Sequence, residues 1–296
     1  MTHPPFDIHQ HLWPEPLLDA LRRRREPPWL DGWTLHLAGE PPFPVPPHDH
    51  DPGRRRAAEG SRIALCLSSP LGIEDLPSDE ARPLLDAWHE GVAELRPDFD
   101  AWAAVNRYDP DLATLKDRLH DGFVGLQIPA TWWQAPAGVD RLGEVLQVAQ
   151  DANRPVFVHP GPVPSPSGPR PAWWAAVVDY PAQLQAAWWS WLVAGRSGFP
   201  HLRVCFAAGA GLAPAQHERF RARAGHPVHV DPLTFVETSS YQRQGVDALT
   251  RALGVDPIVV GSDRPYGTPY DTDLGEAARI AFTVTNPHRL LTGEPS

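Results

Sequence analysis

Eight short runs of mostly apolar residues recur along the chain, at positions 6–11, 62–68, 101–106, 122–128, 155–159, 202–208, 233–239 and 257–263. Most are separated by stretches with apolar residues at helical spacing, such as 78–96 and 138–153. Ser78 stands where a helix N-cap is expected. Apolar strands alternating with amphipathic helices predict a parallel sheet covered on both faces. Eight such units in 296 residues fit an α/β fold of the (β/α)8 TIM-barrel type, formed as one domain over residues 1–296. A doubly wound sheet is the competing arrangement, but no glycine-rich phosphate loop follows the first run.

Two connections are longer than a simple turn between strand and helix. Residues 13–61 include the proline-rich GWTLHLAGEPPFPVPPHDHDP, and PGPVPSPSGPRPAWW at 160–174 follows the fifth run. Long ordered connections on the catalytic face of a barrel serve as lids or substrate walls. A lid-like loop after the first strand is therefore expected.

Composition narrows the partners. A net charge of -10 argues against a nucleic-acid backbone as ligand. The arginine runs 22–25 and 54–56 read as solvated helix faces. Cys66 and Cys205 sit inside apolar runs, as small buried hydrophobes of a reducing compartment. No stretch reaches the ~18 apolar residues of a membrane helix. The start MTHPPFD lacks the pattern of a secretory signal, so a cytoplasmic location is expected.

The first run, FDIHQH, carries the first chemistry. Strand alternation puts Asp7, His9 and His11 on one face. The fifth run ends in His159 and the eighth in Asp263, and a barrel places its reactive groups at such strand ends. Three imidazoles and a carboxylate converging there suit one divalent metal ion, with zinc the preferred candidate. Such an ion would make a hydroxide nucleophile from bound water or polarise a substrate carbonyl. Trp13, Trp132 and Trp133 follow predicted strands directly and are candidate substrate-binding residues, with Arg264 as a partner for a substrate carboxylate. Trp173 and Trp174 are expected near the same face, whereas Trp188, Trp189 and Trp191 read as helix packing. PPHDHDP mimics a second metal motif, but Asp51 before Pro52 reads as a helix cap. His226 and His229 fall in a loop entering the seventh strand, away from the catalytic face.

These motifs resemble those of a known family. DIHQH, VHPG, WLVAGRSGFPHLRVCFAAGAGLAP, VVGSDRPYG and TNPHRLL resemble the amidohydrolase-related branch of the amidohydrolase superfamily, which includes aminocarboxymuconate-semialdehyde decarboxylase. The resemblance spans essentially the whole chain and implies that His9, His11, His159 and Asp263 hold the metal. It also makes a homodimer an expectation.

One position departs from that pattern. The family ends its sixth strand in a histidine, and this chain has Ala208 there. Alanine cannot transfer a proton. Asp263 could act as the base; Glu237, or His217 on the following helix, could substitute; or catalysis could have been lost. Glu237 also reads as an outward residue paired with an arginine, and His217 as a surface residue. Asp7 could orient a metal ligand or pair with an arginine. The leading expectation is metal-dependent hydrolysis of a small organic molecule, with Asp263 as proton acceptor. Non-oxidative decarboxylation of an aromatic or unsaturated carboxylic acid is the first alternative, and a non-catalytic metal-containing binding protein is the second.

Overall fold

The computed structural model describes residues 4–164, 168–268 and 273–294. The eight predicted runs form β1 (Phe6–Gln10), β2 (Arg62–Leu65), β3 (Asp100–Ala101), β4 (Leu126–Pro129), β5 (Val156–His159), β6 (Val204–Phe206), β7 (Thr234–Glu237) and β8 (Ile258–Val259). β1, β2 and β3 pair in parallel, as do β4 to β8 in sequence order. Two seams join these ladders. Ala103 pairs with Leu126, and its N–H donates to the Gly125 carbonyl at 2.9 Å. Gln10 pairs with Arg264, and the Ile8 N–H donates to the Val260 carbonyl at 3.1 Å. The eight strands thus close into a ring.

Several ladders are shorter than the runs that predict them, because the chain turns away at the mouth. Ala208 and Asp263 adopt left-handed φ values of 43° and 56° just beyond β6 and β8. Asp7 secures the β1–β8 seam: its carboxylate accepts from the Ser262 N–H at 3.0 Å and from the Gln10 amide at 2.8 Å. It therefore holds backbone and Gln10, and among the described residues it forms no ion pair with an arginine.

The barrel interior is filled by side chains, as small barrels require. The Trp102 and Phe157 rings stack 5.2 Å apart, and the Trp102 indole N–H donates to the Ile8 carbonyl. Gly125 makes room for this layer: a Cβ there would lie 2.3 Å from the Pro155 carbonyl oxygen and 2.5 Å from the Trp102 ring. Outside the ring, Trp188 and Trp191 on the long helical segment after β5 pack against Phe206 and Trp133.

The 13–61 connection is a folded unit. Helix Glu15–Arg23 leads into a small antiparallel sheet, Trp29–Asp31, Thr34–His36 and Phe43–Pro44. Asp51 caps helix Pro52–Ala57, accepting from the Arg54 N–H at 2.9 Å. Arg55 ties the unit to the barrel by donating to the His11 carbonyl and to Gln10 Oε1. Ser78 is the first residue of helix Ser78–Glu94; its hydroxyl turns to Asn106, so it makes no cap. Among the described residues, no helix is long and apolar enough to cross a membrane.

Candidate metal centre

β1 presents His9, the residue just past it is His11, β5 presents His159, and the turn after β8 presents Asp263. One ligand-type atom from each lies within 4.8 Å of all the others. His9 Nε2 is 3.0 Å from His11 Nε2 and 3.1 Å from His159 Nε2. Asp263 Oδ1 is 3.1 Å from His11 Nε2 and 3.4 Å from His9 Nε2.

The opposite ring nitrogens decide what this convergence means. His11 Nδ1 faces the Cys66 carbonyl at 3.0 Å, and His159 Nδ1 faces the Pro160 carbonyl at 2.8 Å. His9 Nδ1 faces Glu237 Oε1 at 3.2 Å. Carbonyl and carboxylate oxygens accept hydrogen bonds, so each Nδ1 carries the hydrogen and each Nε2 turns a lone pair inward. Three lone pairs and a carboxylate oxygen meeting at one point fit a cation. These four residues fit a divalent ion on donor chemistry alone.

Electrostatics favour the neutral form at two of the three imidazoles. Burial pushes His11 and His159 below the usual imidazole range. Burial also acts to lower His9, but Asp263 and Glu237 outweigh it and raise that imidazole. For Asp263, burial pushes the carboxyl up, and the surrounding imidazoles, His9 foremost, pull it below its usual range. The three histidines are buried, whereas the Asp263 side chain is 22% exposed. Among the four, the carboxylate is the group that meets the mouth.

Of the other sequence candidates, Glu237 touches the cluster through His9. Among the described residues, the side chains of the tryptophans, Arg264 and His217 form no hydrogen bond or ion pair with the four ligand residues. Trp133 is buried in the core against Trp191 and Phe206, not on a substrate wall. Trp132 is buried too, its indole N–H donating to Asp75 Oδ1 at 2.9 Å. Trp13 is buried, stacked on His50 at 4.4 Å, with its indole N–H donating to the Ser68 hydroxyl at 3.0 Å. A tryptophan after a strand can face core or mouth; here Trp132 and Trp133 satisfy the core, whereas Trp13 reaches Ser68. Arg264 pairs with Glu59 at 2.5 Å through Nη1, and its side chain is 33% exposed. Glu237 points inward with no exposed surface and pairs with no arginine. His217 begins the helix His217–Ala224, stacked near Trp188 and away from the cluster. Trp173 is 55% exposed and stacks on Trp174 in the connection after β5, part of which (165–167) lies outside the described residues.

Sequence reasoning missed Tyr266 and Ser68. The Tyr266 ring sits 5.5 Å from the His11 ring and is 58% exposed, placing an aromatic surface over the centre. The Ser68 hydroxyl lies 3.2 Å from His11 Nδ1. The tyrosine's place three residues after Asp263 was the available signal.

No family model matches the chain. Solved structures do. The IDCase of Metarhizium anisopliae in apo form aligns with TM-score 0.72 and 18% identity over 99% of this chain and 98% of that one. A 5-carboxyvanillate decarboxylase of Novosphingobium aromaticivorans, with bound manganese and a nitrobenzoic acid, aligns with TM-score 0.71 and 18% identity over 98% and 97%. The 2,6-dihydroxybenzoate decarboxylase of Rhizobium aligns with TM-score 0.67 and 21% identity over 98% of each chain. This chain has their fold. The resemblance read from the sequence thus holds at the level of fold, over nearly the full length of these proteins.

Proposed function

We propose that the protein is a metal-dependent, non-oxidative decarboxylase of a small aromatic carboxylic acid. The ion would be held by His9, His11, His159 and Asp263. The observation that carries the reading is the position of Asp263, a carboxylate joined to a buried imidazole cluster yet open to the mouth. Full-length likeness to decarboxylases of hydroxylated aromatic acids supports it.

An ion held there would supply Lewis-acid polarisation of substrate oxygens. The rest falls to the chain. Loss of carbon dioxide leaves an electron pair on a ring carbon, and one proton must arrive there to give the arene. Asp263 is placed to carry that proton, because it alone of the four is reached from the mouth. Tyr266 offers a ring face to a flat substrate beside His11. The tautomers of His11 and His159 are set by backbone carbonyls, which keeps their lone pairs directed inward.

Hydrolysis is the lesser reading, because the full-length fold neighbours include decarboxylases and, of the candidate bases, only Asp263 stands at the mouth. Glu237 is sealed behind His9, and His217 packs beside Trp188. Manganese is the ion named with three of the similar solved structures, and nothing in the donor set singles out zinc.

The test is product analysis. Protein loaded with manganese is incubated with hydroxylated benzoic acids and, separately, with esters and lactones. Carbon dioxide and the matching arene from an acid support the proposal. Hydrolysis of an ester or lactone with no carbon dioxide from any acid would overturn it.

A further inference from the structure

Glu237 lies at the end of β7, behind the cluster, and holds more than His9. Its Oε1 accepts from the Ala208 N–H at 2.5 Å and from the Ser239 hydroxyl at 2.6 Å, besides facing His9 Nδ1 at 3.2 Å. Its Oε2 accepts from the Ser239 N–H at 2.5 Å. Four donors thus converge on one fully buried carboxylate, and no arginine or lysine pairs with it among the described residues. The surroundings are cut to its shape: a Cβ on Gly261 would lie 2.2 Å from Glu237 Oε2 and 2.9 Å from the His9 Cβ.

The Ala208 contact adds a second duty. Residues 208–212 run through five successive left-handed φ values, from 43° to 62°, three of them at non-glycine residues. A side chain strains the backbone in this region, so the turn needs outside support. Glu237 supplies it at the first residue, and the Gln185 side chain supplies it at the Gly211 carbonyl at 2.8 Å.

We infer that Glu237 is a positioning residue: it fixes His9 with Nδ1 protonated and Nε2 turned to the ion, and it anchors the strand-six turn to that same imidazole. Glu237 reaches no substrate. It acts on metal affinity through His9, and it joins β6, β7 and β1 at one point. This inference rests on the proposed metal centre but not on the reaction.

Two measurements on folded protein test it. Manganese affinity is determined by chelator competition for the parent and for Glu237→Gln, which keeps the size and removes the charge. The amide must also turn its NH2 toward a donor, since four donors face two acceptor positions. Affinity is expected to fall by about 10- to 100-fold, the usual effect of losing an outer hydrogen-bond partner of a metal-bound histidine. The second measurement needs no variant. In zinc-loaded parent protein, nitrogen NMR should show His9 coordinated through Nε2, with a slowly exchanging Nδ1–H. Coordination through Nδ1, or equal manganese affinity in parent and Glu237→Gln, would overturn the inference. A parent that binds neither ion would instead overturn the metal centre itself.

Discussion

His9 and His11 bring their Nε2 atoms to 3.0 Å while their Nδ1 atoms face a carboxylate and a carbonyl. Two neutral imidazoles in that arrangement would set lone pair against lone pair inside the protein. A shared cation removes the conflict. His11→Ala deletes one proposed ligand, and metal analysis should show about one equivalent in the parent and near-complete loss in the purified variant. Chelation of the parent should also lower its thermal midpoint, because an ion that binds only the folded state stabilises it by mass action. A metal-loaded His11→Ala protein would count against the site.

Asp263 differs from the imidazoles in facing the mouth. Asp263→Asn keeps a neutral oxygen near His11 but cannot carry a proton between solvent and substrate. Turnover of any acid substrate found should fall by about 10²–10⁴-fold, the range of general acid–base contributions. Metal content should fall far less, because three imidazoles remain. Equal losses of metal and turnover would mean that Asp263 serves the ion alone.

Much of this centre is legible in the sequence because it depends on local rules. Alternation along β1 puts His9 and His11 on one face, and the strand-end positions of His159 and Asp263 follow from apolar runs that stop there. The eight runs likewise predict the barrel. What escapes depends on contacts distant in sequence. Glu237 and His9 are 228 positions apart, so no window around either shows that they meet. The tryptophans fail for a different reason. Hydrophobicity says that Trp132 and Trp133 avoid water, but a core and a pocket satisfy that equally until Asp75, Trp191 and Phe206 are placed. Ala208 carries no signal for the left-handed turn it begins, since alanine has no intrinsic preference for that conformation.

Trp133 separates the core role from the pocket role. Its ring is fully buried, 5.6 Å from the Trp191 ring and edge-on to it. Trp133→Ala should destabilise the fold by about 3–5 kcal/mol, the range for emptying a large aromatic site. Trp133→Phe refills most of that volume and should leave KM for an accepted acid unchanged. Denaturant unfolding measures the first effect and steady-state kinetics the second. A large rise in KM for Trp133→Phe with little change in stability would restore the substrate-wall role.

Stability against pH should carry the marks of two buried groups outside the metal centre. Burial, with Arg118 nearby, lowers His89 to about 3, and its Nε2 accepts the Ala104 N–H at 3.0 Å. The unfolded chain takes up this proton near the ordinary value of 6.5 given for histidine. Between those values the unfolded state binds the extra proton, so stability falls as pH drops, by at most about 1.4 kcal/mol per pH unit. Glu74 acts in the opposite sense. Burial raises it to about 7 from 4.5, while the Ser69 hydroxyl donates to one of its oxygens. The folded state holds that proton longer than the unfolded chain, so its contribution is complete below pH 4.5 and lost as pH rises through about 7. Glu74→Gln keeps a neutral group of the same size. Relative to the parent, it should gain stability steadily across this window and level off above it, while His89→Gln should flatten the acid limb below about 6.5. Urea unfolding at closely spaced pH values reads both slopes. A Glu74→Gln curve parallel to the parent's from pH 4.5 to 7 would show that Glu74 titrates alike in both states.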